Sequence, residues 1–415
     1  MRIIVSNPTL RFVRPNGDSF DDWREGSFHD VMETMRSGGT PKSSNQGYYG
    51  GEIPFLSISD ITKSGKYIDL TEKTITQEGL DSCSAWVVPK YSLILAMYAS
   101  YGKVCINTVP MATSQALLAM IPKPGSSLEF FYQYGEKMAT IGFWDAYVKS
   151  GTQPNLSKGT IEKIKIFIPS VDEQQKIADF FSALDKKIAL AERKLSLQSR
   201  IRRGLEKGFF SRSISVNTQN QVPWKKYLLG DIAESFYSGS TPKSQMVKYY
   251  SGDIPWATSL DLNRNLVLST GKCLSTEGFN SCNLKLLPKG SFVFSTCGVE
   301  AENVAGNCGI LGMDSAISQS LMCIKPKESV VSSKFLFYWY RCFGREICKR
   351  YAHGTKQLHL NIDLMSDIEI QLPSLNEQNK IIEILDSIEE KYQLLEKEVL
   401  ALRKLKQSLL QQMFI

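Results

Sequence analysis

Residues 169–181 read PSVDEQQKIADFF, and residues 373–385 read PSLNEQNKIIEIL. Each copy sets a serine (Ser170, Ser374) three residues before a glutamate (Glu173, Glu377). That spacing lets a hydroxyl accept from a first-turn amide while the carboxylate reaches back to the cap, so both stretches predict helix starts. Beyond the second start, Ile381, Leu385, Ile388, Tyr392, Leu395, Val399, Leu402, Leu409 and Met413 alternate by four and three, broken only at Lys406. Beyond the first, Ile177, Phe181, Leu184, Ile188, Ala191, Leu195, Leu205 and Phe209 keep the same phase, interrupted at Gln198 and Arg202. This is a heptad seam. A helix of about 40 residues runs about 60 Å, and the only comparable apolar stripe able to cover it is its own repeat. Because a globular stretch separates the two helices, antiparallel pairing is the economical arrangement.

The repetition extends well beyond the helices. Residues 23–55, WREGSFHDVMETMRSGGTPKSSNQGYYGGEIPF, match residues 224–256, WKKYLLGDIAESFYSGSTPKSQMVKYYSGDIPW, at a constant shift. Further on, Glu78 to Lys90 meets Glu277 to Lys289, Ser114-Gln115 meets Ser318-Gln319, and Gly151-Thr152 meets Gly354-Thr355. The chain is thus an internal duplication. Within each half, short β-rich runs (EIPFLSI, YSLILAMYA, KIKIFIP; DIPWATS, SFVFSTC, DIEIQLP) lie between Gly, Pro, Ser and Asn turns, with aromatic helical candidates at FFYQYGEKMA and FLFYWYRCF. The predicted class is α+β: two homologous α/β domains joined by a long antiparallel two-helix coiled coil. The predicted boundaries are 1–169 (with an arm over 1–22), 170–213, 214–373 and 374–415.

With 415 residues, 42% of them apolar, the chain can bury more than one core. No apolar stretch approaches a bilayer span, and MRIIV stops at SNP before a signal-peptide core could form, so a soluble cytoplasmic protein is expected. Nine cysteines without a C-x-x-C pair, and three scattered histidines, offer no zinc spacing. The cysteines are expected to be reduced and mostly in the core. A net charge of +7 permits a polyanionic partner without requiring one.

Reactive constellations are missing. The sequence holds no phosphate loop, no G-x-G-x-x-G after a strand, no G-x-S-x-G elbow, no H-E-x-x-H and no Asp/Asn-Pro-Pro-Tyr for gripping a flipped adenine. Asp185 and Lys187 form a D-x-K, expected to be a solvated charge pair. What each half does carry is three loops mixing Gly, Thr, Lys, Asn, Gln and aromatics, a composition suited to phosphates and base edges. In the first half their candidate contact residues are Thr40, Lys42, Tyr48, Tyr49, Lys103, Thr152, Gln153, Asn155 and Lys158. In the second they are Thr241, Lys243, Tyr249, Tyr250, Thr355, Lys356, Gln357 and His359. One such loop alone is also explained as a plain turn with core tyrosines; the paired occurrence of all three points to a shared role. A fused enzyme with an unrecognised site and a protein-binding scaffold are the rival classes.

These motifs resemble the specificity subunit of type I restriction-modification systems along nearly the whole chain. The resemblance rests on G-x-T-P (Gly38-Gly39-Thr40-Pro41; Gly239-Ser240-Thr241-Pro242), the tyrosine pairs, Ile-Pro-Phe/Trp at 53–55 and 254–256, G-T-x-x-x-L from Gly151 and Gly354, and P-S-x-x-E-Q-x-x-I from Pro169 and Pro373. It implies a noncatalytic DNA reader whose two target-recognition domains each take half of a split, asymmetric site. It also implies helices that set the spacing and dock two methyltransferase subunits, with restriction subunits joining through the complex. No cofactor is expected on this chain; S-adenosylmethionine, ATP and magnesium would sit on the partners. One departure is that the family's G-K-V loop stands at Gly102-Lys103-Val104 but becomes CGVEAENVAG in the second half, leaving Lys103 without a counterpart.

Overall fold

A computed structural model describes residues 8–148, 155–216, 223–297, 304–352 and 359–415. The chain forms two compact units. One runs to Arg193 and takes back Lys397–Ile415; the other is Lys194–Glu396. Four helices organise them: α1, Leu128–Thr140; α2, Val171–Phe210; α3, Ser333–Tyr351; and α4, Leu375–Met413. The two long ones have 40 and 39 residues, as the heptads predict. Each contributes to both units.

In the first unit a five-stranded sheet has the order Met32–Ser37, Leu117–Pro122, Leu93–Ala96, Val104–Asn107, Tyr67–Ile68. Its neighbours pair antiparallel except the last, which is parallel. The central strands LILA and VCIN are buried at every position, and alternate residues enter different cores. Leu93, Leu95, Val104 and Ile106 meet the α1 aromatics Phe130 and Phe131, whereas Ile94, Ala96 and Cys105 meet Leu56, Ile61 and Met111. The period of two survives, but both faces are covered, which is why the sequence reads as continuous apolar runs. A second sheet, ordered Lys73–Ile75, Tyr49–Leu56, Met111–Thr113, Val87–Val88, lies beside it.

The second unit repeats this wiring. Its five-stranded order is Ala233–Ser238, Leu321–Pro326, Phe292–Ser295, Cys308–Leu311, Asn265–Val267, and α3 takes the place of α1. The strands just ahead of the long helices, Lys165–Ile168 and Glu369–Leu372, each pair with the strand that opens their half, Arg24–Ser27 and Lys225–Leu228.

The predicted seam faces inward. Ile177, Phe181, Ile381, Leu385 and Leu402 are buried, and Leu184, Ile188, Leu195, Ile388, Leu395 and Leu409 are half-buried, while the off-seam leucines 190, 197, 394 and 400 are more than half exposed. Pairing is antiparallel within each unit. In the first, Phe181 packs on Phe414, and Asp185 and Glu192 of α2 bond Lys406 and Arg403 of α4. In the second, Arg202 of α2 bonds Glu389 of α4.

Three expectations need correction. The glutamates of the repeated helix starts do not serve as simple capping-box partners. Glu173 accepts from the Trp23 indole at 3.1 Å and from Arg11 at 2.8 Å, and Glu377 from the Trp224 indole at 3.3 Å. The following glutamines, Gln174 and Gln378, are buried and donate to Pro169 and Pro373 carbonyls. Ser374 Oγ does accept from the Glu377 amide at 3.4 Å, as expected, whereas Ser170 Oγ finds no partner among the described residues. The P-S-x-x-E-Q motif therefore bolts each long helix onto its domain rather than capping it alone.

Asp185 is not a solvated partner of Lys187. It accepts from Lys406 at 2.7 Å, Gln133 at 2.7 Å and Lys66 at 3.2 Å. Burial pushes its carboxyl up, but Lys406, Lys66 and Gln133 outweigh that and hold it below the usual carboxylate range. Its contribution is present above the ordinary carboxylate pKa and lost as pH falls through the lowered one. Of the cysteines, expected mostly in the core, only four are buried and five lie partly exposed.

Candidate nucleic-acid interface

Each Gly-x-Thr-Pro turn is held by main chain before any side chain acts. Gly39 N donates to Thr113 O and Ser240 N to Ile317 O, each at 3.1 Å. A Cβ on Gly38 would lie 1.7 Å from Thr113 O, and one on Gly239 2.1 Å from Ile317 O, so only glycine permits the approach. The prolines are buried and Thr40, Lys42, Thr241 and Lys243 are exposed. Tyr49 and Tyr250 are staples: their hydroxyls donate to Pro41 O at 2.7 Å and Pro242 O at 2.6 Å. Tyr48 and Tyr249 are half-buried, with carbonyls accepting from Thr76 N and Ser275 N. The tyrosine pairs thus shape the loop more than they present it. Tyr49→Phe should leave the fold intact and cost about 1 kcal/mol, seen as a small drop in thermal midpoint with the turn loosened but not lost.

The turn reaches a second element in both halves. Thr40 Oγ1 donates to Gln115 Oε1, and Thr241 Oγ1 accepts from Gln319 N at 3.4 Å. From there the cluster continues to the third loop. Met97 N bonds Ala116 O, next to the bridge between Tyr98 and Asn155; Cys297 contacts Gln319 O at 3.9 Å and bridges His359. His359 Nδ1 also lies 3.1 Å from Cys297 Sγ. The structure therefore gathers Thr40, Gln115 and Asn155 in one unit and Thr241, Gln319 and His359 in the other.

Other candidates fall elsewhere. Lys103 is half-buried and donates to Thr62 O at 3.1 Å, next to Gly102, whose φ of +83° lets the backbone lie against the Trp144 indole. Lys158 pairs with Glu162 one turn on. Thr152, Gln153, Thr355, Lys356 and Gln357 lie outside the described residues. Gln115 and Gln319 were not among the predicted contacts, although their Ser-Gln doublet is one of the repeat's matches. Among the described residues no group of three or more His, Cys, Asp or Glu could hold a metal ion, and no helix is long and apolar enough to cross a membrane.

The family described as type I restriction modification DNA specificity domain matches this sequence twice, over residues 20–198 and 221–403. The type I restriction enzyme MjaIX specificity subunit of Methanocaldococcus jannaschii is 26% identical over 405 residues, 94% of this chain and 92% of the relative. The EcoR124I/EcoR124II specificity subunit of Escherichia coli is 26% identical over 232 residues, 54% of this chain and 55% of the relative. The crystal structure of the type I restriction-modification S subunit from M. genitalium aligns at a TM-score of 0.62 and 15% identity, covering 99% of both chains. A second structure, concerned with complex assembly and conformational transition of the type I R-M system, aligns at 0.60 and 16% identity over 94% of this chain and 96% of the other. The structural likeness carries the fold, and the doubled sequence match carries the family: this chain belongs to the type I restriction-modification specificity subunits, the noncatalytic DNA-recognition components of those systems.

Proposed function

We propose that each unit reads one half of a bipartite, asymmetric double-stranded DNA site, with the paired helices setting the spacing and docking two methyltransferase subunits. The observation that carries this is the repeated cluster with unequal contents. One scaffold presents Asn155 beside Tyr98, and its duplicate presents His359 beside Cys297. A shared framework with different polar groups at equivalent places suits two different half-sites. The exposed leucines 190, 197, 394 and 400 on the long helices supply apolar surface for the methyltransferases. Restriction subunits join through that complex, and S-adenosylmethionine, ATP and magnesium belong to the partners. A net charge of only +7 fits a reader whose partners share the phosphate contacts.

Exchanging residues 24–160 for the equivalent segment of a related specificity subunit is the test. Genome-wide mapping of methylated adenines should show one half of the recognition sequence replaced and the other unchanged. A change in both halves together would sink the assignment of one reader to each unit.

A further inference from the structure

The Ser-Gln doublets sit on unusually well-fixed backbone. Ser114 N donates to Leu56 O in one sheet, and Leu117 N closes the turn onto Ser114 O at the start of a strand in the other. Ser318 N and Leu321 N do the same with Ala257 O and Ser318 O. Thr113, Ser114, Leu117, Ser318 and Leu321 are all buried, yet Gln115 and Gln319 between them are exposed. Each glutamine is an exposed polar side chain on a turn tied to both sheets, at the same place in both halves.

In the first unit Thr40 engages Gln115 Oε1, and among the described residues the Gln115 Nε2 donors have no bond. In the second, Thr241 holds the Gln319 main chain instead, and among the described residues the Gln319 side-chain amide has no bond. The positions around them differ between halves: Tyr98 against Cys297, Asn155 against His359. If the halves read different bases, a group kept identical in both must meet what the half-sites share, and that is the sugar-phosphate backbone.

We infer that Gln115 and Gln319 are register contacts, donating their side-chain amides to backbone phosphates at equivalent places in the two half-sites and leaving base choice to neighbours that differ, Asn155 and His359 among them. This rests on the reading that each unit binds a DNA half-site.

The test uses the full chain assembled with its methyltransferase subunits, and measures affinity for a duplex carrying the mapped site and for an unrelated duplex. Gln115→Ala and Gln319→Ala should each weaken both duplexes by the same factor, about three- to tenfold, without altering the methylated sequence. Gln115→Lys and Gln319→Lys should tighten both and steepen the log-log salt slope by about 0.9 per added cation, through counterion release. Relaxed choice at a single base pair would make these glutamines base readers and overturn the inference, as would unchanged affinity for both duplexes. If the unsubstituted complex shows no preference for its mapped site, the half-site reading itself falls, and this inference with it.

Discussion

Replacing Arg341 with methionine should cost the second unit about 3–5 kcal/mol, the usual penalty for removing one partner from a buried ion cluster. Arg341, on α3, is buried; it donates to Glu389 Oε2 of α4 at 2.7 Å, to Glu206 Oε1 of α2, and to Arg264 O at 3.2 Å. Its guanidinium also lies over the Phe337 and Tyr338 rings, 5.1 and 4.8 Å from their centroids. One side chain thus ties both long helices to the domain, and methionine keeps the stem packing while leaving the carboxylates behind. Glu389 retains Arg202 at 3.1 Å, so Glu206 bears most of the loss. Burial already pushes the Glu206 carboxyl up despite Arg341, and removing the arginine pushes it further. A carboxyl raised in the folded state weakens stability as pH rises through its ordinary range. The deficit should therefore be large in chemical denaturation at neutral pH and shrink as the solution is acidified. Adding Glu206→Leu should restore part of it, because the uncompensated charge is then gone. A loss below about 1 kcal/mol at neutral pH would mean that the cluster is solvated and anchors nothing.

That cluster marks where sequence reasoning ran out. The seam was legible because burial imposes a period, and a period survives in a single sequence: Ile177 to Phe209 and Ile381 to Met413 keep phase, and the off-seam leucines 190, 197, 394 and 400 are exposed, whereas Leu410 beside the seam turns into the first core. Lys406 and Arg202 register only as breaks in that period, since nothing local says which distant residue completes a buried charge. Their partners come from the opposite helix, and the domains add Lys66 in one unit and Arg341 in the other. Glu173 and Glu377 were misread for the same reason. The local rule for an N-terminus competes with an indole about 150 residues away in sequence, and the tertiary bond wins. The candidate loops stand out by their doubling, yet Tyr49, an expected contact, closes a turn, and Gln115, to which no role was assigned, is an exposed group bonded to that turn. A tyrosine in a polar, glycine-rich loop looks like a contact until its hydroxyl is seen closing the turn onto a proline eight residues earlier. A glutamine within an apolar run looks incidental until the strands on either side are buried and it alone faces out.

The ion pairs also sharpen what should happen when the helices are lengthened. Asp185 and Arg202 on α2 are seventeen residues apart, and so are Glu389 and Lys406 on α4. Asp185 bonds Lys406 within the first unit, and Arg202 bonds Glu389 within the second, so both helices carry equal lengths between the same two anchors. Four residues inserted after Leu195 alone would set about 6 Å of extra helix on one side against none on the other. The chain must then bulge or give up one partly buried pair, and we expect lost stability and weak methylation by the assembled complex. Four residues inserted after Leu195 and four more after Leu395 restore equal spans, a matched stutter that a heptad seam absorbs. Every recognition loop is untouched, so the same two half-sites should be read. At 3.4 Å per base pair, about 6 Å corresponds to roughly two base pairs, so a complex assembled on the doubly extended chain should abandon the original sites and be directed to sites with a spacer longer by one or two. Methylation mapping of the two variants side by side decides it. Full activity at the original spacer in the double insertion would show that the paired helices serve only as a dock and do not measure the DNA.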